Sequence, residues 1–283
     1  MTTRYDLPAA GAFFAERSVL APIDDDCRWD LLVGDGPVVA TAIHDGHALR
    51  DSLLPHAALD RAGRLREEDP MTGLLAEVGD VRLRARHSRF EVDLNRPRDG
   101  AVYVRPEDAW GLQVWREPLP DHEHAASLGH YDRFYAMVRE LFDRLLARHG
   151  ALLLIDLHSY NHRRDGPGAE PADAGGNPDI ELGLTTLDHG RWGDVACRFA
   201  EVLAAHPVAG RLPDVRANVR FPTGGHFPEW VYATWGDRIC TISPEYKKIF
   251  MDEWTGLVDA AALHDLRAGL AAAVDAVRPA FRA

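Results

Sequence analysis

The sequence predicts an α/β fold in which a mixed, largely parallel sheet is flanked by helices. Short apolar runs of β type alternate along the chain with segments that repeat apolar residues every three or four positions, which is typical of this class. The longest stretch rich in proline and glycine, 164–178, has the length of one surface loop rather than of a domain linker. We therefore expect a single domain over residues 1–283.

Several runs are predicted to be strands and several segments to be helices. The run that ends at Asp156 is continuously apolar, as in a strand covered on both faces, and Gly150 before it marks the end of the clearest helix. The predicted strands are 37–43, 81–84, 89–94, 151–157 and 238–244, and the predicted helices are 131–148, 192–203 and 258–277. Polar side chains follow most of these strands, at the carboxyl ends where open α/β sheets bind their ligands.

Charge and composition exclude several kinds of partner and site. The net charge of −12, from 44 acidic and 32 basic residues, repels phosphate backbones and anionic lipids, so we expect neither nucleic acid nor membrane as a partner. No apolar run reaches the roughly 18 residues of a membrane helix, and the start of the chain lacks the features of a signal peptide, which predicts a cytoplasmic protein. Three widely spaced cysteines leave histidine and carboxylate as the metal ligands to consider.

Two histidines at strand ends are candidate zinc ligands. His44 and His158 each follow an apolar strand, and Asp45 and Asp156 stand within two residues of them to orient a ring nitrogen. A hydrolytic zinc site needs about three such ligands and one open position for water. Spacing alone fits a pair of ordinary loop histidines equally well.

The third ligand stays open between two residues. His47 shares the turn after His44, but it is equally typical of an exposed histidine at a helix start. Asp69 precedes a proline in an acidic run, a pattern that is more often a solvated helix cap.

Glu245 is the candidate general base. It follows a predicted strand, where a single carboxylate can take a proton from water and later protonate a leaving amine. A salt bridge to Lys247 or Lys248 is the structural alternative.

A run at the end of one predicted strand offers groups for a substrate carboxylate. Asn95 and Arg96 supply an amide and a planar guanidinium fork, and Arg89 lies on the same run. Ion pairs of these arginines with Asp93 or Asp99 are the competing explanation.

A glycine pair later in the chain is a further candidate for substrate binding. Gly224 and Gly225 form a flexible turn whose bare backbone can approach a ligand closely, and His226 supplies a donor beside it. A plain tight turn is the more common meaning of two adjacent glycines.

Taken together, these segments resemble the N-formylglutamate amidohydrolase family, which is similar in turn to zinc carboxypeptidases and aspartoacylases. The motifs are specific jointly and not individually, and they follow the family's order over residues 37–256. They are His44-Asp45-Gly46, Asp93 to Pro97, Asp156 to Ser159, Gly224 to His226, and Glu245 with the later segment Phe250 to Glu253.

The resemblance implies a metallohydrolase domain of the zinc carboxypeptidase or phosphorylase/hydrolase-like type. Its implied cofactor is one Zn²⁺ per chain on His44 and His158, and its implied substrate is a small anionic N-acyl amino acid such as N-formylglutamate. Aspartoacylases have a glutamate at the position of His47, and formylglutamate hydrolases carry an acidic residue in the segment that matches Asp69. The third ligand therefore remains open.

The same resemblance implies roles for the polar run. In the relatives, the residues that match Asn95 and Arg96 hold the substrate carboxylate, and an upstream arginine, for which Arg89 is the nearest match, polarises the scissile carbonyl.

Two other functions remain as alternatives. One is a metallocarboxypeptidase or deacylase that acts on a larger or peptide-derived substrate, which the loop 164–178 would oppose if it caps the pocket. The other is a non-catalytic metal or amino-acid binding protein. A candidate base and an Asn-Arg pair argue against the latter, because metal storage needs neither.

Overall fold

A mixed sheet of nine strands runs through the part of the chain that the computed structural model describes, residues 20–21 and 28–281. The strands are β1 (Leu20–Ala21), β2 (Trp29–Val33), β3 (Val38–Ala42), β4 (Val81–Ala85), β5 (Leu152–Asp156), β6 (His158–Tyr160), β7 (Ile180–Gly183), β8 (Val215–Ala217) and β9 (Ile239–Lys247). Their order is β1-β2-β4-β3-β5-β9-β7-β8, and β6 pairs with β9. The central pairs β4–β3, β3–β5 and β5–β9 are parallel, whereas β1–β2, β2–β4 and β7–β9 are antiparallel.

Helices cover both faces of this sheet. They are α1 (Arg61–Glu67), α2 (Thr72–Leu75), α3 (Asp121–His149), α4 (His189–Ala205), α5 (His226–Trp235) and α6 (Ala260–Val277). Leu154 of β5 packs in the cluster that α3 and α5 complete, and its neighbour Leu153 packs in the cluster of α4 and α6 on the other face. Because successive side chains of a strand point to opposite faces, burial on both faces accounts for the continuous apolar run. The predicted α/β class with a largely parallel sheet between helices is confirmed.

The longest helix, α3, begins well before its apolar repeat. Pro120 occupies the N-cap position, and Asp121 and Glu123 lie in the first turn, where the helix dipole favours negative charge. Gly150, with a φ of 75°, ends the helix as predicted.

The predicted strand 89–94 is wrong. The segment is a series of buried turns, in which Glu91 N donates to Ser88 O at 2.9 Å and Asp93 N donates to Ala101 O at 2.7 Å. Its charged side chains alternate with apolar ones, as in a strand, but they form ion pairs with partners in different directions. The ion pair between Arg89 and Asp93 lies within the segment itself.

Several short elements were not predicted. They are β1, β2, β6, β7, β8, α1, α2 and α5. The last of these begins at His226, in the segment for which the sequence predicts a turn. The loop 164–178 forms no helix or strand and is largely exposed, as expected.

The start of the chain cannot be compared with its prediction, because residues 1–19, on which the expectation of no signal peptide rests, lie outside the described residues. Among the described helices, none is both long enough and apolar enough to cross a membrane.

Candidate active site

A cavity of about 900 Å³ opens at the carboxyl ends of β3, β5 and β9. Its lining contains every predicted site residue except His47. These residues are His44, Asp69, Arg89, Asn95, Arg96, His158, Gly224, Gly225, His226 and Glu245. The sheet thus brings together residues that lie far apart in the sequence.

Three buried side chains converge at the floor of this cavity. His44, Asp69 and His158 each offer a ligand atom within 4.8 Å of the other two. Nδ1 of His44 lies 3.3 Å from Asp69 Oδ2, and Nδ1 of His158 lies 3.0 Å from the same oxygen. The two rings and the carboxylate therefore face a common point.

The opposite ring nitrogens are held by two further carboxylates. His44 Nε2 lies 2.7 Å from Asp93 Oδ1, and His158 Nε2 lies 3.0 Å from Asp156 Oδ2. Thr41 in turn donates to Asp156 at 2.6 Å. Carboxylates that bind the outer nitrogen fix the orientation of a metal-ligating histidine, and here they leave both Nδ1 atoms facing inward.

In the turn after His44, the backbone of Gly46 lies directly against the backbone of His87. A Cβ added to Gly46 would lie 2.2 Å from the backbone oxygen of His87, so only glycine fits there. Asp45, which was expected to orient His44, instead forms an ion pair with Arg84.

The group of His44, Asp69 and His158 fits a metal ion. His44 Nδ1 is buried and has no hydrogen-bond partner among the described residues, which is rare for a buried polar atom. Burial alone would raise the pKa of Asp69, but the hydrogen bond with His158 and the nearby positive charge of both histidines outweigh it and hold this pKa below its usual value. Two imidazole nitrogens and one ionised carboxylate form a donor set that suits Zn²⁺.

The structure brings Asp69 to this group and places His47 elsewhere. Asp69 is only 2% exposed, and its backbone N donates to His44 O at 2.9 Å, so it is not a solvated cap. His47 Nδ1 lies 2.5 Å from Glu68 Oε2, and His47 lines a separate cavity.

Glu245 lies across the cavity floor from these ligands. It is the register partner of His158 in the parallel pair β6–β9 and of Glu181 in the antiparallel pair β7–β9. Within the described part of the chain, its carboxylate forms no ion pair or hydrogen bond. Burial therefore raises the pKa of Glu245 to about 8, against the lowering effect of His158.

The two lysines after Glu245 do not pair with it. Lys247 Nζ lies 3.0 Å from Asp179 Oδ1. Lys248 is fully buried, and its Nζ donates at 2.5 and 2.8 Å to two backbone carbonyls of the segment that precedes Asp69. These two hydrogen bonds hold the segment before Asp69 against the end of β9.

Asp93 organises the predicted substrate-binding run. Arg89 Nη2 donates to Asp93 Oδ2 at 2.7 Å, Asn95 N donates to Oδ1 at 2.9 Å, and Arg96 Nε lies 3.6 Å from Oδ2. The guanidinium of Arg89 also lies 4.8 Å from the ring centroid of Trp110. Both arginines therefore pair with an aspartate and line the cavity at the same time.

The glycine turn packs directly on Asn95. Gly224 has a φ of 73°, and a Cβ on Gly225 would lie 2.5 Å from the Asn95 amide. His226 N donates to Asn95 O at 3.3 Å, and Phe227 N donates to Asn95 Oδ1 at 2.9 Å. Glycine is needed at both positions, and the turn fixes the amide at the cavity wall.

Among the residues in or directly behind the cavity wall to which the sequence analysis gives no role, Asp93, Glu181 and Arg220 have contacts that shape the site. Asp93 belongs to a recognised motif, but its contact with His44 depends on a turn that was predicted as a strand. Glu181 lies on the unpredicted β7, where a carboxylate within an apolar run was the available signal. Arg220 lies just before the Gly224 turn, and its place at the cavity is visible only in the fold.

Comparison with sequence profiles of protein families identifies one family. The sequence profile of the N-formylglutamate amidohydrolase family matches residues 36–243. No curated protein sequence matches the chain.

Solved structures give the same result at the level of the fold. An N-formylglutamate amidohydrolase from Ralstonia eutropha JMP134 is 19% identical, with a TM-score of 0.67 over 89% of this chain and 99% of that chain. A gene product of Agrobacterium tumefaciens is 17% identical, with a TM-score of 0.63 over 88% and 96% of the two chains. A metallo-carboxypeptidase from Burkholderia cenocepacia is 12% identical, with a TM-score of 0.39 over 89% and 61%.

The profile match covers most of the chain and includes the His44, Asp69 and His158 segments. The resemblance seen in the sequence is thereby confirmed, and the chain belongs to the N-formylglutamate amidohydrolase family.

Proposed function

We propose that the protein is a zinc-dependent amidohydrolase that cleaves the acyl amide, with formyl as the first choice of acyl group, of a small N-acyl amino acid such as N-formylglutamate. One observation carries the proposal: a buried group of His44, Asp69 and His158 faces the same cavity as an unpaired Glu245 carboxylate. Family membership supports hydrolysis of an amide.

Zinc would be held by Nδ1 of His44, Nδ1 of His158 and a carboxylate oxygen of Asp69. When bound, it polarises the scissile carbonyl and lowers the pKa of water. Asp93 and Asp156 keep the two imidazoles oriented for that purpose.

Glu245 acts as the general base and then as the general acid. It takes a proton from the attacking water and delivers it to the leaving amine, so that the carboxylate is regenerated. A carboxyl group with a pKa of about 8 is suited to both steps, since it can hold and release a proton near neutral pH.

Arg89 stabilises the oxyanion that forms at the acyl carbon. Its Nε and Nη2 donate to Asp93 at 3.2 and 2.7 Å, which fixes the guanidinium and leaves Nη1 without a partner among the described residues. A donor that is already oriented needs no reorganisation as negative charge develops. Asn95 and Arg96, beside it, hold the substrate carboxylate, and His226 closes over the pocket.

A second candidate substrate class follows from the size of the cavity. About 900 Å³ is near the upper limit for small-molecule sites and exceeds what N-formylglutamate needs. This volume favours a deacylase for a larger or peptide-derived N-acyl amino acid as the alternative.

The first experiment measures metal content and hydrolysis together. Protein purified without added metal or a histidine tag is analysed by mass spectrometry, and N-formyl, N-acetyl and longer N-acyl amino acids are then screened as substrates. We expect about one equivalent of zinc in the wild type, none in His158→Ala or Asp69→Ala, and the highest activity on an N-formyl amino acid.

His47→Ala is the matched control, because it removes a nearby histidine that lies outside the group. It should keep its zinc. Loss of zinc from His47→Ala but not from Asp69→Ala would reverse the choice of third ligand. Absence of metal from every variant, with none gained on zinc titration, would contradict the hydrolase and leave a binding protein.

A further inference from the structure

The ammonium group of Lys248 lies where two segments of the chain meet the end of β9. Its Nζ donates to the backbone oxygens of Arg66 at 2.5 Å and Glu68 at 2.8 Å, at the carboxyl end of α1. It also donates to Asn161 Oδ1 at 2.9 Å, in the segment that follows β6. The three hydrogens of the ammonium are therefore matched by three acceptors from segments distant in the sequence.

Each segment that meets at this ammonium carries a residue of the candidate site. Asp69 comes directly after the acceptors of α1, and His158 lies three residues before Asn161. Glu245 lies on β9, three residues before Lys248. One side chain thus links the segments of two candidate metal ligands and of the candidate base.

Lys248 carries its charge in the interior without a carboxylate partner in the described part of the chain. It is 1% exposed, and the acceptors of its three hydrogen bonds are all neutral. A buried ammonium costs free energy unless its hydrogen bonds are satisfied. Burial lowers the pKa of Lys248 to about 8, and the negative charge of Asp69 opposes this lowering most. The interactions that keep Lys248 charged are therefore those with the Asp69 segment and with Asn161.

The carbonyls of α1 that Lys248 binds are those that a helix leaves without a partner. Carbonyls of the last turn have no donor within the helix, and the helix dipole favours a positive charge beside them. The helix α1 ends at Glu67, and Asp69 N already donates to His44 O at 2.9 Å. The position of the end of α1 thus determines the position of Asp69, and Lys248 holds that end against β9.

The carboxylate of Asp69 has less support from other side chains than the two histidines have. A carboxylate holds the outer ring nitrogen of each histidine, at 2.7 and 3.0 Å. Apart from its contacts with these histidines, the Asp69 carboxylate accepts one long hydrogen bond among the described residues, from Ser159 Oγ at 3.4 Å. Its place in the group therefore depends on its main chain, which is the part that Lys248 holds.

From this arrangement we infer that Lys248 is a positioning residue of the metal group, which holds the main chain at Asp69 in place and thereby increases the affinity of the group for Zn²⁺. The inference rests on the proposed function. It adds to that function a residue that acts through the main chain and is not itself a ligand.

The test measures the affinity of metal-free Lys248→Met for Zn²⁺ by competition with a chromophoric chelator. Methionine nearly matches lysine in length but donates no hydrogen bond, so the end of α1 is released from β9. We expect the dissociation constant for Zn²⁺ to rise by about 10- to 100-fold over the wild type, the usual effect of removing a group that orients a metal ligand. Lys248→Arg, which keeps the charge and the donors, should lie closer to the wild type than Lys248→Met.

Lys247→Met is the matched control. Lys247 Nζ donates to Asn177 O at 2.7 Å and pairs with Asp179 at 3.0 Å, and Lys247 does not line the cavity. Arg211 still binds Asp179 after its removal, so this variant should bind Zn²⁺ with wild-type affinity. Thermal unfolding of each metal-free variant verifies that it is folded. If Lys248→Met does not fold, Lys248→Gln takes its place and should lose zinc affinity in the same direction.

Kinetics at two zinc concentrations separate positioning from general damage to the site. At limiting Zn²⁺, Lys248→Met should be less active than the wild type. At saturating Zn²⁺, its KM should be unchanged and its kcat should recover, since Lys248 holds the segment of a ligand and not the substrate. A deficit in activity that saturating Zn²⁺ does not reduce would mean general damage and would overturn the inference.

Hydrogen exchange supplies a readout that needs neither zinc nor turnover. In metal-free protein, the amide of Asp69 should exchange faster in Lys248→Met than in the wild type or Lys247→Met, because its hydrogen bond to His44 O opens more often. If the wild type binds no Zn²⁺, the proposed function fails, and exchange at Asp69 alone decides whether Lys248 positions that segment, with unchanged exchange overturning the inference. In a wild type that binds Zn²⁺, an unchanged zinc affinity in Lys248→Met, or an equal loss in Lys247→Met, overturns it.

Discussion

Glu91 is a fully buried glutamate and Glu245 a half-buried one at the cavity, and their pKa values move in opposite directions. Burial would raise the pKa of Glu91, but His87 and Arg28 outweigh it and lower this pKa to about 2. Glu245 has no such partner, and burial raises its pKa to about 8. The difference lies in the partners that the fold supplies to each carboxylate.

The Glu91 carboxylate lies in a network of ion pairs. Arg28 and Arg50 both form ion pairs with Glu91, the latter at 3.1 Å, and His87 Nδ1 lies 2.9 Å from it. Arg50 also reaches Glu123 at 2.8 Å and so connects the network to α3. Ion pairs and hydrogen bonds of this kind stabilise the fold.

Glu245 has the opposite effect on the stability of the fold. A carboxyl group whose pKa is raised in the folded state disfavours folding increasingly as the pH rises from about 4.5 toward 8. A site that lowers stability in this way is typical of residues kept for chemistry. The comparison therefore separates a structural glutamate from the one that we propose as the general base, and each of the following variants tests that separation.

The largest expected effect is on activity in Glu245→Gln. The amide has the shape of the carboxylate but cannot accept the proton of water, so kcat should fall by at least about 10³-fold. Zinc content should remain as in the wild type. The free energy of unfolding at pH 7 should be equal or higher, because folding no longer has to protonate a carboxyl group whose pKa burial has raised.

Metal analysis, steady-state kinetics and urea unfolding on the same preparation check these three results. Loss of zinc from Glu245→Gln would make Glu245 a ligand and contradict its role as base. A clear drop in stability would place it with Glu91 as a structural residue.

Glu91→Gln is the matched substitution on the other side of the comparison. It removes the buried carboxylate that forms ion pairs with both Arg28 and Arg50, so the free energy of unfolding at pH 7 should fall by about 3 kcal/mol. The kcat of the folded fraction should be unchanged, since Glu91 does not line the cavity. If Glu91→Gln unfolds at the same urea concentration as the wild type but has lost activity, Glu91 serves catalysis rather than stability.

Part of this site was predictable from the sequence, for a physical reason. His44 and His158 come just after the parallel strands β3 and β5, and Glu245 lies in the last part of β9 beside them. The carboxyl ends of parallel strands meet at one edge of a sheet. An apolar run with a polar end is a local pattern, so their convergence could be inferred without knowing the loops.

The rest depends on contacts that no local pattern encodes. Asp69 reaches the cavity because the segment after α1 folds back on the backbone of His44 and on Lys248. Asp93 contacts His44 because residues 89–94 form turns, although their alternation of charged and apolar residues is typical of a strand. Arg220 takes its position from Glu181, on a strand too short to be recognised. In each case the position is set by side chains distant in the sequence.

The smallest expected effect is the pH dependence of the difference between wild type and Glu91→Gln. Because the folded-state pKa of Glu91 is lowered from 4.5 to about 2, its contribution is complete above about pH 4.5 and disappears as the pH falls toward 2. The gap in unfolding free energy between the two proteins should therefore narrow by about 2 kcal/mol between pH 5 and pH 3. Urea unfolding of both proteins at pH 5, 4 and 3 measures this difference in unfolding free energy. The other carboxyl groups are common to both proteins, so their contributions cancel in the difference. Parallel stability curves over that range would mean that Glu91 is not held ionised by its partners, and the contrast with Glu245 would then rest on geometry alone.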